Sequence, residues 1–492
     1  MYNKKQKNYF PGGLPGGRYK PLTDEEIIKI HKTAMGVFEK TGIEVNDDRA
    51  LNAFHEAGAN VDFKKRRVRA SEEWILDKIS TAPESVTLYG REEEHNLILD
   101  DYNVYFGTGG TATNVLDLVS GERRLSKLDD IQKSARIVDA LDNIHYYVIS
   151  CFPNELDKND IDVNRFYASL KNTSKHVMGG VYTKEGIERV SECAAMIAGG
   201  KEKLLEKPFI SFITAVMSPL VMDEHYTALM IAAVESGLPL AIPTAPMAGT
   251  TSPATLAGTL VQMIVEALSG VLLTQILNPG HPVLFGCVPA TADLRTGAFC
   301  FGSIETGMMN AACAQISRFY KLPNYVTAGS NEAKTPDIQS GYESMASSLM
   351  CALSGCNYIH HAAGIIESGM VISYEQYVID NEILGMCMRA VKGIEVTENT
   401  LAGDVINDVG PAGNYLVNNH TILNMKNEFF YGEVSDRQTR VAWEQSGEMN
   451  ATERANIIAK DILENHNPSL IDKEIESKII ESIPGVVDIR AE

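Results

Sequence analysis

The chain reads as an α/β protein, a (β/α)8 TIM barrel with an N-terminal helical cap and a C-terminal helical extension. Three observations predict it. Eight short runs of β-branched and aromatic residues recur from about residue 104 onward. Each begins about 30–45 residues after the last, the length of one βα unit. Helical patterns fill the gaps, and the eight units take roughly 270 residues against about 250 for a typical barrel. An open doubly wound sheet is the competing architecture; the count of eight favours the barrel.

The elements follow in order. Leu22–Gly42 has Thr23 as N-cap, acidic residues in the first turn and Gly42 at the stop, which predicts a helix. A shorter helix is expected from Asp48 to about Ala57, and KRRVRASEEWILDKI predicts a strand followed by a helix. The strand runs then begin at Val104, His145, His176, Phe209, Leu238, Pro282, Pro323 and Asn357. After residue 390 the pattern turns helical and charged, with the glycine- and asparagine-rich stretch Asn407–Thr421 inside it. The expected division is residues 1–100 as cap, 101–390 as barrel and 391–492 as extension.

Composition narrows the function classes. An apolar fraction of 44% and a charged fraction of 22% suit a large core rather than disorder. A formal charge of −20 argues against nucleic acid or an anionic membrane as partner, since either would repel the chain. The start, MYNKKQKNYFPGG, is polar, so no signal peptide is expected. The longest apolar run, Leu260–Leu277, carries Gln262, Glu266, Thr274 and Gln275, which predicts a buried helix rather than a membrane span. Eight cysteines without C-x-x-C spacing predict reduced core thiols in a cytoplasmic protein.

In a barrel, chemistry sits in the loops after the strands. The first, Phe106–Asn114, holds Gly109 and Gly110, whose backbone suits either a phosphate cradle or a tight turn against a ligand. It matches neither dinucleotide nor P-loop spacing. The fifth and sixth loops offer Thr244, Met247, Thr250, Asp293 and Arg295; Arg295 is either an anion binder or the partner of Asp293. The seventh packs Ser330, Asn331, Glu332, Lys334 and Asp337 around Pro336, as mouth residues or as a solvated loop. No metal motif, no zinc-deaminase signature and no nucleophile elbow is present, so no metal site is expected.

Five blocks, YFGTGGTATNVLDLVSGERR, NPGHPVLFG, TAGSNEAKTPDIQSGYE, IHHAAGIIESGMVISYEQYVIDNEI and DVGPAGNYLVNNHT, resemble the trimethylamine methyltransferase family. The resemblance implies a barrel that moves a methyl group from a methylated amine to cob(I)alamin on a separate corrinoid protein. The family's trimethylamine enzymes carry pyrrolysine, which this chain lacks; the Ser330–Asp337 loop is the expected equivalent position. The departure points to the quaternary-amine branch, with glycine betaine, proline betaine or carnitine as substrate classes. A quaternary nitrogen needs no acid to leave as a neutral amine. Its cation suits aromatic faces, each worth about 0.5–2 kcal/mol.

Tyr102, Tyr105, Phe106, Tyr146, Phe152 and Tyr358 lie near strand ends, and Tyr105, Phe106 and Tyr358 are the expected cage. His360, Asn331 and Arg295 are the expected donors to a carboxylate, His360 and Asn331 being the catalytic candidates and Ser330 and Glu332 further substrate-binding ones. No D-x-H-x-x-G motif is present (DNIHYY at Asp142 lacks its spacing and glycine), so the corrinoid belongs to a partner and no covalent cofactor is expected. Rival readings are a betaine-binding barrel without turnover, transfer to a folate-type acceptor, and a trimethylamine enzyme without pyrrolysine. A homo-oligomer is compatible with all of them.

Strand alternation places Tyr358 and His360 on the inner face and Ile359 and His361 on the outer, unless the strand bulges. Ser373 and Gln376 are expected to form a capping box for the next helix.

Overall fold

The computed structural model describes residues 13–468 and 470–489, so the polar start read above as lacking a signal peptide lies almost wholly outside them. All eight predicted strands are present and parallel. They are β1 (Asn103–Thr108), β2 (Tyr147–Val148), β3 (Val177–Gly180), β4 (Ile210–Ile213), β5 (Leu240–Thr244), β6 (Val283–Cys287), β7 (Asn324–Thr327) and β8 (Tyr358–Ala363). Consecutive strands pair from β2 to β8, and β8 pairs with β1.

Closure is made at β1 and β2, where a parallel bridge joins Gly107 to Tyr146. Across this seam the His145 N–H donates to the Phe106 carbonyl at 2.7 Å. One rung higher, Thr108 Oγ1 accepts from Val148 N at 2.8 Å and donates to Val148 O at 2.6 Å. A side chain thus replaces a backbone rung, and the sheet becomes a barrel without open edges.

Each strand is followed by its helix: α1 (Leu128–Ala140), α2 (Ile161–Asn172), α3 (Lys184–Ala198), α4 (Glu224–Ser236), α5 (Leu256–Leu277), α6 (Ile304–Phe319), α7 (Ile338–Ser354) and α8 (Tyr374–Lys392). By length and composition α5 could cross a membrane, but most of it is buried. It packs on β5, β6 and the N-terminal helix Asp24–Lys40, as the apolar run predicted. That N-terminal helix starts with a full capping box between Thr23 and Glu26. The eight cysteines are free thiols, seven of them buried.

The flanking segments are knitted to the barrel. The strand Ile43–Val45 pairs with Val221–Met222, which follows β4. The antiparallel hairpin Val86–Leu88 and Leu97–Leu99 plugs the bottom of the barrel, where it packs with Tyr105, Tyr146, Tyr325 and Tyr358. From the other end of the chain, the helix Ala451–Asn465 packs on α1 and α8. The Glu382 carboxylate of α8 accepts from Val434 N at 2.6 Å and Ser435 N at 3.0 Å, fixing the return of the extension.

Ser373 does cap α8, accepting from Gln376 N. The reciprocal arm of the expected box is not made, because the Ser373 N–H donates instead to the Gly364 carbonyl at 3.0 Å, while the Gln376 amide nitrogen donates to Asp380 Oδ1 at 2.7 Å.

Candidate functional site at the barrel mouth

Plugging the bottom leaves one opening in the barrel interior. A cavity of about 540 Å3 lies at the carboxyl ends of the strands, where a barrel positions its chemistry. Gly110, Thr111, Gly180, Met217 and Ser218 line one side, and Phe301, Tyr325, His360, His361 and Ser368 line the other. None of its lining residues is Asp, Glu, Lys or Arg.

Both histidines enter the wall, which corrects the expected split between an inner His360 and an outer His361. His361 has φ of +63°, in the left-handed region. The β8–β1 register slips between Ile359 and Ala363. This bulge breaks the two-residue alternation and turns a second ring inward. The rings stack with centroids 3.6 Å apart. Ile359 faces the helices, as expected.

Each imidazole is held by a neighbouring strand. His360 Nδ1 is hydrogen-bonded to the Tyr325 hydroxyl of β7, while its Nε2, fully buried, has no partner. His361 Nδ1 bonds Thr327 Oγ1 at 2.8 Å, and its Nε2 lies 3.4 Å from the Gly110 carbonyl. Burial, and for His360 the neighbouring His361, hold both pKa values below the ordinary range; His361 is pushed down to about 4. The pair is therefore neutral at neutral pH. Burial pushes the Tyr325 hydroxyl well up, so it keeps its proton.

The remaining predicted residues divide sharply. Tyr358 is on the inner face but one layer below the cavity, stacked between Tyr146 at 3.7 Å and Tyr325 at 5.4 Å. Tyr105 lies lower still, its hydroxyl accepting from Ile98 N of the plug at 3.1 Å. Phe106 points outward into the core between sheet and helices, the parity opposite to Tyr105. The structure therefore does not bring Tyr105 and Phe106 to the mouth. Arg295 is also removed from it. Its side chain is 89% exposed on a hairpin tip and pairs with Asp293 at 2.7 Å.

The seventh loop supports the cavity and contributes none of its lining, so Ser330, Asn331 and Glu332 stand behind the wall rather than in it as expected. Asn331 is fully buried and donates to Ser344 Oγ at 3.2 Å, and its carbonyl holds Ser368 N at 2.9 Å. Glu332 accepts from Phe301 N at 2.7 Å and Gly302 N at 3.1 Å, which fixes the Phe301 ring over His361. Ser330 is buried with an unpartnered hydroxyl. Gly109 makes room for His361, since a Cβ there would lie 2.4 Å from the ring. Gly110 presents a carbonyl rather than an anion cradle to that ring.

Sequence reasoning missed Phe301, Tyr325, His361 and Thr111. Tyr325 was legible in principle, since it lies beside Tyr358 on the adjacent strand. Behind Thr111 stands a buried cation, Arg165 of α2, whose Nη2 donates to Thr111 Oγ1 at 3.2 Å. On the far wall Glu266 is buried too, accepting from Ser218 Oγ at 2.6 Å, Leu220 N at 2.9 Å and Gln262 Nε2 at 2.8 Å. These ionisable groups are thus kept one layer behind a neutral surface, and burial pushes the Glu266 carboxyl up. Among the described residues no cluster of His, Cys, Asp and Glu suits a metal ion.

Comparison with known proteins places this arrangement. The family model for trimethylamine methyltransferase (MTTB) matches residues 6–484. The chain is 36% identical to a glycine betaine methyltransferase of Desulfitobacterium hafniense, covering 94% of this chain and 96% of that relative. It is 34% identical to a trimethylamine methyltransferase MttB of the same species, over 93% of this chain and 92% of that one. It is 32% identical to a trimethylamine methyltransferase MttB of Methanosarcina barkeri, over 96% of each. The crystal structure of the Methanosarcina barkeri monomethylamine methyltransferase aligns over 92% of this chain and 95% of that one, with a TM-score of 0.48 and 13% identity. The protein is a member of the trimethylamine methyltransferase family.

Proposed function

We propose that the protein demethylates a quaternary amine carrying a carboxylate, a betaine, and passes the methyl group to cob(I)alamin on a separate corrinoid protein. The observation that carries this reading is a cavity walled by aromatic rings and neutral dipoles with no charged side chain in its lining. A permanent cation with no hydrogen to donate gains little from a hydrogen-bond acceptor but is attracted to ring faces. Phe301, Tyr325 and the neutral pair His360 and His361 supply them.

The carboxylate end needs donors. Tyr325 keeps its proton and donates it to His360 Nδ1, so the proton of the neutral ring sits on Nε2, a buried atom without a partner beside the cavity wall. Thr111 Oγ1 accepts from Arg165 and so directs its own hydrogen elsewhere. Arg165 adds positive potential through the wall without entering it.

The reaction asks little acid–base chemistry of the chain. The C–N bond breaks with its electron pair on nitrogen, giving a neutral tertiary amine. Cob(I)alamin supplies the pair for the new bond to carbon. What the residues contribute is orientation of one methyl toward the open mouth and exclusion of water. The lining holds no lysine to protonate free trimethylamine and no carboxylate to accept the N–H of its protonated form. The eight unpaired thiols suit the cytoplasm.

The purified chain, mixed with cob(I)alamin and a panel of betaines and followed by methylcobalamin absorbance, tests the reading. Turnover of a betaine supports it. Stabilisation by betaines without turnover would favour a binding protein.

A further inference from the structure

The bulge that brings His361 into the cavity wall has to be held in place. His361 has φ of +63° and Gly364 of +81°, so the backbone turns left-handed twice within a few residues. A histidine keeps that conformation only where its surroundings over-determine it. The segment that follows, 364–368, ends at the mouth residue Ser368 and is bonded on two sides. On the side of the seventh loop, Glu367 N donates to Ala333 O at 3.1 Å and Ser368 N to Asn331 O at 2.9 Å.

On the side of α8 the bonds meet at Gly364. Its carbonyl accepts from Ser373 N at 3.0 Å, and its N–H, just past the end of β8, donates to Asp380 Oδ2 at 2.8 Å. The Tyr377 ring packs against it so closely that a Cβ on residue 364 would lie 1.9 Å from the ring. Main-chain bonds survive most substitutions. Asp380 is therefore the helix side chain through which the sequence controls this turn.

The carboxyl is fully buried, and its Oδ1 accepts from Gln376 Nε2 at 2.7 Å. Burial pushes it up to about 8, which keeps it largely neutral at neutral pH. Held neutral, the group acts through its shape and its accepting oxygen rather than through charge. We propose that Asp380 is a positioning residue, which anchors Gly364 and thereby holds the His361 ring in the cavity wall. Its consequence for substrate rests on the reading of that cavity as the methyl-transfer site; the anchoring does not.

Carbon-13 labelling of the full chain at histidine Cε1 tests this by NMR, with His361→Gln and His176→Gln identifying two of the signals. The His361 signal reports the place of its ring, because His360 stacks on it at 3.6 Å and Phe301 lies at 4.9 Å. His176, held by Ser211 and the Tyr89 carbonyl at the foot of β3, serves as the control. Asp380→Leu leaves the Gly364 N–H without an acceptor, so the His361 signal is expected to move by more than its linewidth while that of His176 stays. Asp380→Asn keeps the accepting oxygen, and a turned Gln376 amide brings its unpartnered Oε1 to the new N–H, so both signals are expected to stay. If Asp380→Leu yields no folded protein, Gln376→Leu, which unfastens the carboxyl but leaves it in place, is expected to move the His361 signal by less. KM for a betaine is expected to rise about 10-fold in Asp380→Leu and to stay within about twofold in Asp380→Asn. A His361 signal that stays put in the leucine variants would overturn the proposal. So would one that moves only together with His176, which marks general loosening, or an Asp380→Asn protein that behaves like Asp380→Leu. Should no betaine be turned over, the histidine signals still decide the anchoring, so the two readings fail separately.

Discussion

His360 and Tyr325 sit on adjacent strands with their side chains joined above a column of stacked tyrosines, and this bond sets the direction of the His360 ring. Replacing Tyr325 by Phe keeps the stack but removes the proton that Nδ1 accepts. The variant should remain folded, losing about 1 kcal/mol for a buried hydrogen bond. Its kcat/KM for a betaine should fall about 10-fold, mostly through KM. Steady-state kinetics on the variant check this, and an unchanged KM would show that the ring direction does not matter.

Thr111 offers a sharper separation of cation from carboxylate. Thr111→Val removes a hydroxyl that Arg165 leaves free to donate. Binding of a carboxylate-bearing betaine should weaken about 10-fold, a cost of about 1.4 kcal/mol. Binding of tetramethylammonium, which has no carboxylate, should be unaffected. Calorimetric titration of both ligands into both proteins distinguishes them, and equal losses for the two would contradict the assigned role.

Phe301 and Arg295 make an opposed pair of tests within one hairpin. Phe301→Ala should raise KM by about 3- to 30-fold, the loss of one cation–π contact of about 0.5–2 kcal/mol. Arg295→Ala should leave KM within about twofold, since the guanidinium is exposed and its partner is Asp293. Parallel kinetics decide whether the cavity or the hairpin tip recognises substrate.

Buried histidines give a pH signature. Burial pushes His176 down to about 4, and it is hydrogen-bonded to Ser211 Oγ at 2.7 Å and the Tyr89 carbonyl at 2.9 Å. Between about pH 6.5 and pH 4 the unfolded chain takes up a proton that the folded one refuses. The stabilising neutral form is thus fully effective above 6.5 and is penalised as pH falls. Asp380, raised to about 8 by burial, acts with the opposite sign across the whole of that range. The difference between wild type and His176→Gln is therefore the useful quantity. Wild type should be the more stable at pH 7.5, and the gap should narrow toward pH 4.5 in denaturant titrations.

Much of the fold is legible in the sequence. The eight strands begin within a few residues of their predicted starts because β-branched runs between helical patterns are set by local periodicity. Side-chain parity was correct for Tyr358, Ile359 and His360 for the same reason. It failed at His361, where a positive φ and a bulge depend on the packing of β8 against β1, which no local pattern encodes. Height in the barrel was equally hidden. Tyr105 and Tyr358 were read as a cage because they face inward, but the hairpin plug from residues 86–99 makes their level the floor. Phe301 reaches the cavity from a loop, ordered by Glu332 from the next unit along the chain, and only the closed barrel brings the two together.

Methylcobalamin formation from cob(I)alamin by the purified chain reads methyl transfer from a betaine to a corrinoid without intermediate steps. Turnover is expected with at least one carboxylate-bearing quaternary amine, none with trimethylamine, and none in His360→Ala. Turnover of trimethylamine with no quaternary amine accepted, or no transfer from any of them, would contradict it.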